Sequence, residues 1–446
     1  VDPEGRSMSG AAWTGVAVAG VTAAYAVFSR RLSSTPLSSA IVFVGSGILI
    51  GPAVLDIIDQ ERDAAPIITL LEAALTLVLF TDAMAVQRRD LVAGGFLPGR
   101  LLGIGLPLSI GAGWLLAWPL LPGLTVWELA LVGAILAPTD AALGKTAISD
   151  PRVPAVVRHG LNVESGLNDG MVLPFFVVFL AAIPGTRYAE QGTGGVFWRA
   201  LLLSTALGLV VGGLGGGLLQ WSRARGWVTR EWRQVHVLAV AVAAYELGVV
   251  THGSGFIAAW VAGFAFGFAL RRHRTGRAEE SPDRTAEFAE DLGGLLASIS
   301  LLVFGAVLLG PALGHLSWRI VLYALLSLTV VRVVPVALSL VGSGLRTPTV
   351  AYIGWFGPRG LASVVLALLV VEESAHVPGV ELLGRVVAVT VGLSVLLHGL
   401  SAVTFAERYG HWYARAAAAT PGLREEAPVP ESPGRRRLGP LDRPER

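Results

Sequence analysis

Residues 131–174 read LVGAILAPTD AALGKTAISD PRVPAVVRHG LNVESGLNDG MVLP. Two apolar segments meet in this stretch, and each carries acid where hydrocarbon is expected. The first holds Pro138-Thr139-Asp140; the second holds Glu164-Ser165 and Asn168-Asp169. A carboxylate in a membrane span costs about 3 kcal/mol or more, so it faces a cavity or a partner and marks an ion pathway. The stretch therefore reads as a candidate cation/proton exchange site.

The rest of the chain agrees with a membrane setting. It has 446 residues, 53% hydrophobic and only 15% charged, with mean hydropathy +0.64. A soluble protein of this size needs more polar surface, so the expected fold class is an all-α polytopic membrane protein. The absence of cysteine excludes disulfides, thiolate metal sites and cysteine nucleophiles. The formal net charge of +2 rests on arginines and a single lysine, Lys145. These bases lie mostly in loops, so the basic pI is no argument for nucleic acid.

Windows of about 20 apolar residues suit a hydrocarbon core about 30 Å thick. Thirteen are found, at 9–29, 36–58, 66–86, 97–121, 126–148, 160–185, 197–221, 235–250, 253–270, 289–312, 318–342, 349–371 and 385–405. With the N-terminus outside, 26 basic residues fall on the cytoplasmic side and six outside, while Arg332 and Arg359 remain within spans. This is the positive-inside pattern, with the C-terminus in the cytoplasm. Residues 1–8 are set apart as an extracytoplasmic leader, and 9–405 as the transmembrane domain. Residues 406–446, rich in Pro and Arg, are expected to form a disordered cytoplasmic tail.

An odd span count inverts the second set of six spans relative to the first, with span 7 as connector. Inverted repeats of this kind place a site at midplane, between helices broken at matching positions. Span 5 holds Ala137-Pro138-Thr139-Asp140-Ala141 and span 12 holds Gly357-Pro358-Arg359-Gly360-Leu361. Each has a mid-span proline followed by an ionisable residue, and a proline there removes a donor and crowds the preceding turn. The expected architecture is two inverted six-helix repeats whose crossing helices, spans 5 and 12, are broken.

Five acids lie within spans: Asp82, Asp140, Glu164, Asp169 and Glu246. Their excess over the two arginines favours a cation pathway. On a helix, Ser165 and Asp169 share one face, and Glu164 and Asn168 the next. Asp169 reads as the titrating carrier, able to hold a proton or an alkali cation, with a hydroxyl beside it. Thr139 offers its hydroxyl and a freed carbonyl; Asp140 coordinates through water or caps the broken helix. Asn168 bonds the broken ends of span 5. Arg359 needs a partner, and Glu164 is the expected one, as a structural ion pair. Glu246 and Arg332 read as structural first, with Glu246 a possible pathway residue. Asp82 adds a carboxylate to the cytoplasmic mouth or ends span 3. His398 reads as a packed histidine.

At these residues the chain resembles the monovalent cation:proton antiporter family, in particular its sodium/proton exchanger branch of bacterial type. The matching pieces are Thr139-Asp140, Glu164-Ser165 with Asn168-Asp169, Gly253-Ser254-Gly255-Phe256-Ile257-Ala258 ending in Ala262-Gly263, Gly357-Pro358-Arg359-Gly360, and His398-Gly399. The resemblance implies a homodimer in a bacterial inner membrane. Spans 1–3 and 7–10 would form the dimerisation part, and spans 4–6 and 11–13 a moving core. It also implies a site for Na⁺, or Li⁺ or K⁺, at Asp169 with Ser165, Thr139 and Asp140 around it. Asn168 before that acid implies electroneutral exchange. No cofactor is implied.

Three rivals remain: a K⁺/H⁺ antiporter of the same fold, an uncoupled cation channel and an intramembrane hydrolase. The hydrolase would need Ser254 and a distant His398, but nothing fixes a Ser–His geometry between them.

Overall fold

The structure is a computed structural model. It describes residues 3–32, 37–58, 64–86, 96–140, 143–144, 150–186, 189, 192–272, 282–420 and 422–427. Lys145, the loop segment 273–281, the last part of the span 5 window and residues 428–446 lie outside them.

Among the described residues there is helix and turn but no strand. Each apolar window carries helical backbone over at least part of its length. In chain order these are α1 (Pro3–Leu32), α2 (Ser39–Ile50), α3 (Ala64–Ala85), α4 (Phe96–Leu120), α5 (Val126–Ile135) and α6 (Ala155–Ala181). Then come α7 (Trp198–Ala224), α8 (Arg230–Val250), α9 (Gly255–Arg272), α10 (Ala286–Leu313) and α11 (Trp318–Ser339). The last are α12a (Thr347–Trp355), α12b (Leu361–Glu372) and α13 (Val380–Ala419). Nine of the described helices are long and apolar enough to cross a membrane; α2, α5 and α12b are shorter apolar helices.

The helices sort into two bundles. In one, α3 packs on α9 and α10, and α7 on α9. Gly208, Gly212 and Gly216 of α7 let it lie directly on the backbone of α9, where a side chain at Gly212 would overlap Ala262. Small residues spaced by four permit such close approach when no solvent drives association. In the other bundle α4, α5 and α6 pack together, and α11, α12 and α13 close around them.

Local sequence explains the two breaks. Helix α5 opens on a capping box: Glu128 N–H donates to Thr125 Oγ1, and Thr125 N–H to Glu128 Oε2. It stops at Ile135, three residues before Pro138, and 138–140 run without helix. Helix α12a stops at Trp355, and the Gly357-Pro358 step keeps Phe356–Gly360 out of helix until α12b starts. The broken ends of both pairs lie against one another at the centre of the second bundle.

Helix α1 begins at Pro3, so residues 3–8 are helical. One expectation about the other end is corrected. Helix α13 runs on to Ala419, so residues 406–419 are not disordered. That stretch is rich in alanine, a strong helix former, and ends at Thr420, before a proline that disfavours helix. Beyond it Leu423 and Glu425 are buried again.

Candidate functional site

Broken backbone at membrane depth must find internal hydrogen-bond partners. Here each break is closed by the other repeat. Asp140 N–H donates to Pro358 O at 2.7 Å, and Leu361 N–H donates to Asp140 Oδ2 at 3.2 Å. The acid from span 5 thus caps the first turn of α12b, where a helix end favours negative charge. In return Arg359 donates through Nη1 to Ala137 O (2.7 Å) and Pro138 O (3.1 Å), carbonyls left unpaired beyond the end of α5. Arg359 N–H donates to Ser394 Oγ at 2.7 Å, and Ser363 Oγ donates to Ile135 O at 2.6 Å.

The expected pair of Glu164 with Arg359 is therefore not formed. Glu164 takes both terminal nitrogens of Arg332, at 2.5 and 2.9 Å. The physical reason is competition. Arg359 is fully buried and gives its Nη1 to the carbonyls of Ala137 and Pro138, whereas Arg332, packed on Gly357, turns a bidentate fork toward the carboxylate. Both arginines read alike as buried bases, and sequence alone does not show which one the acid meets.

On α6 the polar face lies against the break in span 5. Thr139 Oγ1 is 3.0 Å from Ser165 Oγ and accepts from Asn168 Nδ2 at 2.7 Å. Asn168 Oδ1 has no hydrogen-bond partner among the described residues. Asp169, one turn on from Ser165, is half-buried and within electrostatic reach of Asp140 and Asp82. Asp82 of α3 lies beside α6, since a Cβ on Gly166 would sit 3.4 Å from its Cβ. Three carboxylates, from α3, α6 and the break after α5, converge beside two hydroxyls and an amide, with Glu164 neutralised by Arg332. Hard alkali cations take oxygen ligands of this kind.

Glu246 lies elsewhere. Val237, Ala241, Ala244 and Gly248 form the packed stripe of α8, and Glu246 is exposed on the other side of that helix. It does not line the cluster, because a residue two positions from Ala244 points to the opposite face. His398 is buried and bonds the carbonyls of Ser394 and Trp355 at 2.9 Å each. Trp260 of α9, not singled out in the sequence, lies on Gly170 next to Asp169, where any side chain at 170 would overlap the indole. Glycine next to the acid is the only hint of that contact in the sequence.

The chain matches the sodium/hydrogen exchanger, transmembrane family over residues 17–408. It is 25% identical over 342 residues to a probable Na⁺/H⁺ antiporter of Schizosaccharomyces pombe, an alignment covering 67% of this chain and 43% of the yeast protein. It is 28% identical over 312 residues to the K⁺/H⁺ antiporter NhaP2 of a Shewanella strain, covering 68% and 50%. The chain thus spans half or less of the length of these relatives. Its fold matches the sodium proton antiporter MjNhaP1 from Methanocaldococcus jannaschii with TM-score 0.75 at 20% identity, covering 90% of this chain and 99% of that one. Relatives from a fungus, a bacterium and an archaeon do not support the expectation of a bacterial source. A match spanning α1 to α13, over helices broken and crossed as described, leaves one assignment: this is a multi-pass membrane protein that belongs to the sodium/hydrogen exchanger family.

Proposed function

We propose that the protein is a secondary transporter that exchanges Na⁺ for H⁺ across the membrane, not an enzyme, and that proton and cation compete for Asp169. The observation that carries this reading is the placement of Asp169 one turn from Ser165, beside the crossing, in a cluster whose acids outnumber its bases. A single carboxylate that gives up one proton for each monovalent cation conserves charge, which suits electroneutral exchange and the neutral Asn168. Thr139, Ser165 and Asp140 complete the cation site, directly or through water. The bundle of α4–α6 and α11–α13 moves as the core, against the bundle of α1–α3 and α7–α10, which dimerises. All thirteen segments cross the bilayer, with the N-terminus outside and the C-terminus in the cytoplasm.

K⁺/H⁺ exchange at the same residues is the second reading, favoured by the relative named as a K⁺/H⁺ antiporter. All the candidate ligands are oxygens, and Na⁺ against K⁺ turns on cavity size and field strength. The test is dissipation of a pH gradient in proteoliposomes with Na⁺, Li⁺ and K⁺ compared, with and without a clamped membrane voltage. Wild type should exchange in both conditions at the same rate, and Asp169→Asn should abolish exchange while eluting as folded protein. Wild-type rates from Asp169→Asn would overturn the assignment, and flux without coupling to protons would point to a channel.

A further inference from the structure

The two broken helices start in matching ways, but only one carries its own cap. Helix α5 begins Thr125-Val126-Trp127-Glu128, and Glu128, fully buried, receives the N–H of Thr125, its N-cap, at 2.6 Å. Helix α12a begins Arg346-Thr347-Pro348-Thr349, with no acid or side-chain cap of its own. The first four N–H groups of any helix lack intrahelical partners. Glu425, from beyond α13, fills this position. Its Oε1 receives Arg346 N–H, the N-cap amide, at 2.8 Å and Thr349 Oγ1 at 2.7 Å, and its side chain is 1% exposed. The segment is held by more than this residue. Tyr409 donates to Thr349 Oγ1 at 3.1 Å and stacks on Tyr352 with centroids 4.3 Å apart, and Arg424 lies 4.4 Å over the ring of Phe96.

We propose that Glu425 is a positioning residue of the exchange site, which the tail supplies to the second repeat in place of the capping acid that Glu128 supplies to the first. Helix α12a is nine residues long. A rod that short transmits any shift of its start to its end, where Pro358 O holds Asp140 and Arg359 holds the end of α5. Docking of residues 422–427 therefore sets the crossing, and their release loosens it without touching a cation ligand. The transport half of this proposal rests on the exchange reading above; the capping half does not.

The test uses the full chain with four changes: Glu425→Ala, Glu425→Gln, a stop after Thr420, and Arg346→Thr/Thr349→Glu/Glu425→Ala, which moves the acid to the place Glu128 occupies in α5. Two readouts are taken, amide hydrogen exchange over 346–352 and apparent KM for Na⁺ in proteoliposomes. Loss of a cap should speed exchange of the 346–352 amides about tenfold in the Ala and truncated proteins. Their KM should rise about three- to tenfold through misplacement of the crossing. Gln, which keeps an acceptor oxygen, should stay near wild type, and the relocated acid should restore both readouts. Wild-type protection and KM in the Ala and truncated proteins overturn the proposal, as does a relocated acid that leaves 346–352 unprotected. If Ala prevents folding, folding of the relocated-acid variant supports it and failure of both overturns it. If wild type moves no protons with Na⁺ or K⁺, the exchange reading fails while amide exchange still judges the cap.

Discussion

Each oxygen of Glu164 accepts from a different nitrogen of Arg332, 168 residues away, with the two side chains only 3% and 5% exposed. This pair ties α6, which carries Asp169, to α11 near its interruption at Thr329. A buried pair gains little over apolar residues of the same shape, but removing one partner strands the other charge at a cost of about 3–5 kcal/mol. Glu164→Ala and Arg332→Ala should each lower the midpoint of thermal unfolding in detergent sharply. The double variant should be less damaged than the sum of the singles, in a double-mutant cycle. Additive losses would mean that the two side chains act separately.

The sequence showed where the breaks fall and which acids lie near them, because proline and intramembrane carboxylates carry those facts in single residues. It did not show the partner of Glu164, since Arg332 and Arg359 are equally basic and equally within spans. The choice is made by the unpaired carbonyls of Ala137 and Pro138, which exist only once the helices cross. The docked tail was hidden for a related reason. Composition around Pro421 and beyond reads as disorder, while Glu425 finds its donors, Arg346 and Thr349, more than 70 residues back in the chain. The face of Glu246 was hidden too, since an acid within a span shows its side only when the packed stripe of α8 is known.

Asp140 caps α12b, and on the exchange reading it also places a charge beside the cation site; a single substitution separates the two. Asp140→Asn keeps an oxygen to accept from Leu361 N–H but removes the charge near Asp169; Asp140→Ala removes both. Loss of an N-cap costs about 1 kcal/mol. Asp140→Asn should therefore unfold close to wild type while its apparent affinity for Na⁺ falls, whereas Asp140→Ala should lose stability as well. Equal transport by Asp140→Asn and wild type would assign the residue to capping alone.

Arg152 and Asp150, between α5 and α6, form an ion pair that should not shape the pH dependence of transport. Arg152 bonds both oxygens of Asp150, at 3.0 and 2.7 Å, and reaches Glu407 on α13 at 3.2 Å. The hydrogen bonds from Arg152 hold the Asp150 carboxyl below the usual carboxylate range. A lowered carboxylate stabilises the fold above its unfolded value of about 4 and loses that contribution as pH falls through the lower folded value. Nothing in this pair titrates between about pH 6 and about pH 9. Asp150→Asn should therefore leave the pH profile of exchange unchanged in that range, and a displaced profile would place Asp150 in the proton pathway.

The crossing leaves no room at Gly360. A Cβ there would overlap Asp140 Oδ2 and come within 2.6 Å of Asp140 Cγ, so even alanine must push the acid off α12b. The obstacle is the neighbouring Asp140 side chain. Gly360→Ala should accordingly mimic loss of the Asp140 cap, with lower stability and a raised KM for Na⁺. At Gly111 of α4 a Cβ would meet nothing within 4 Å. There alanine should be neutral or slightly stabilising, by about 1 kcal/mol at most, as expected for a helix interior. Combining Gly360→Ala with Asp140→Gly separates the alternatives. A Cβ at 360 would also come within 2.6 Å of the Asp140 Cβ, so glycine at 140 removes every overlapping atom and the double variant should be little worse than Asp140→Gly alone. A double variant as damaged as the sum of the two would show that Gly360 is required for some contact other than the acid.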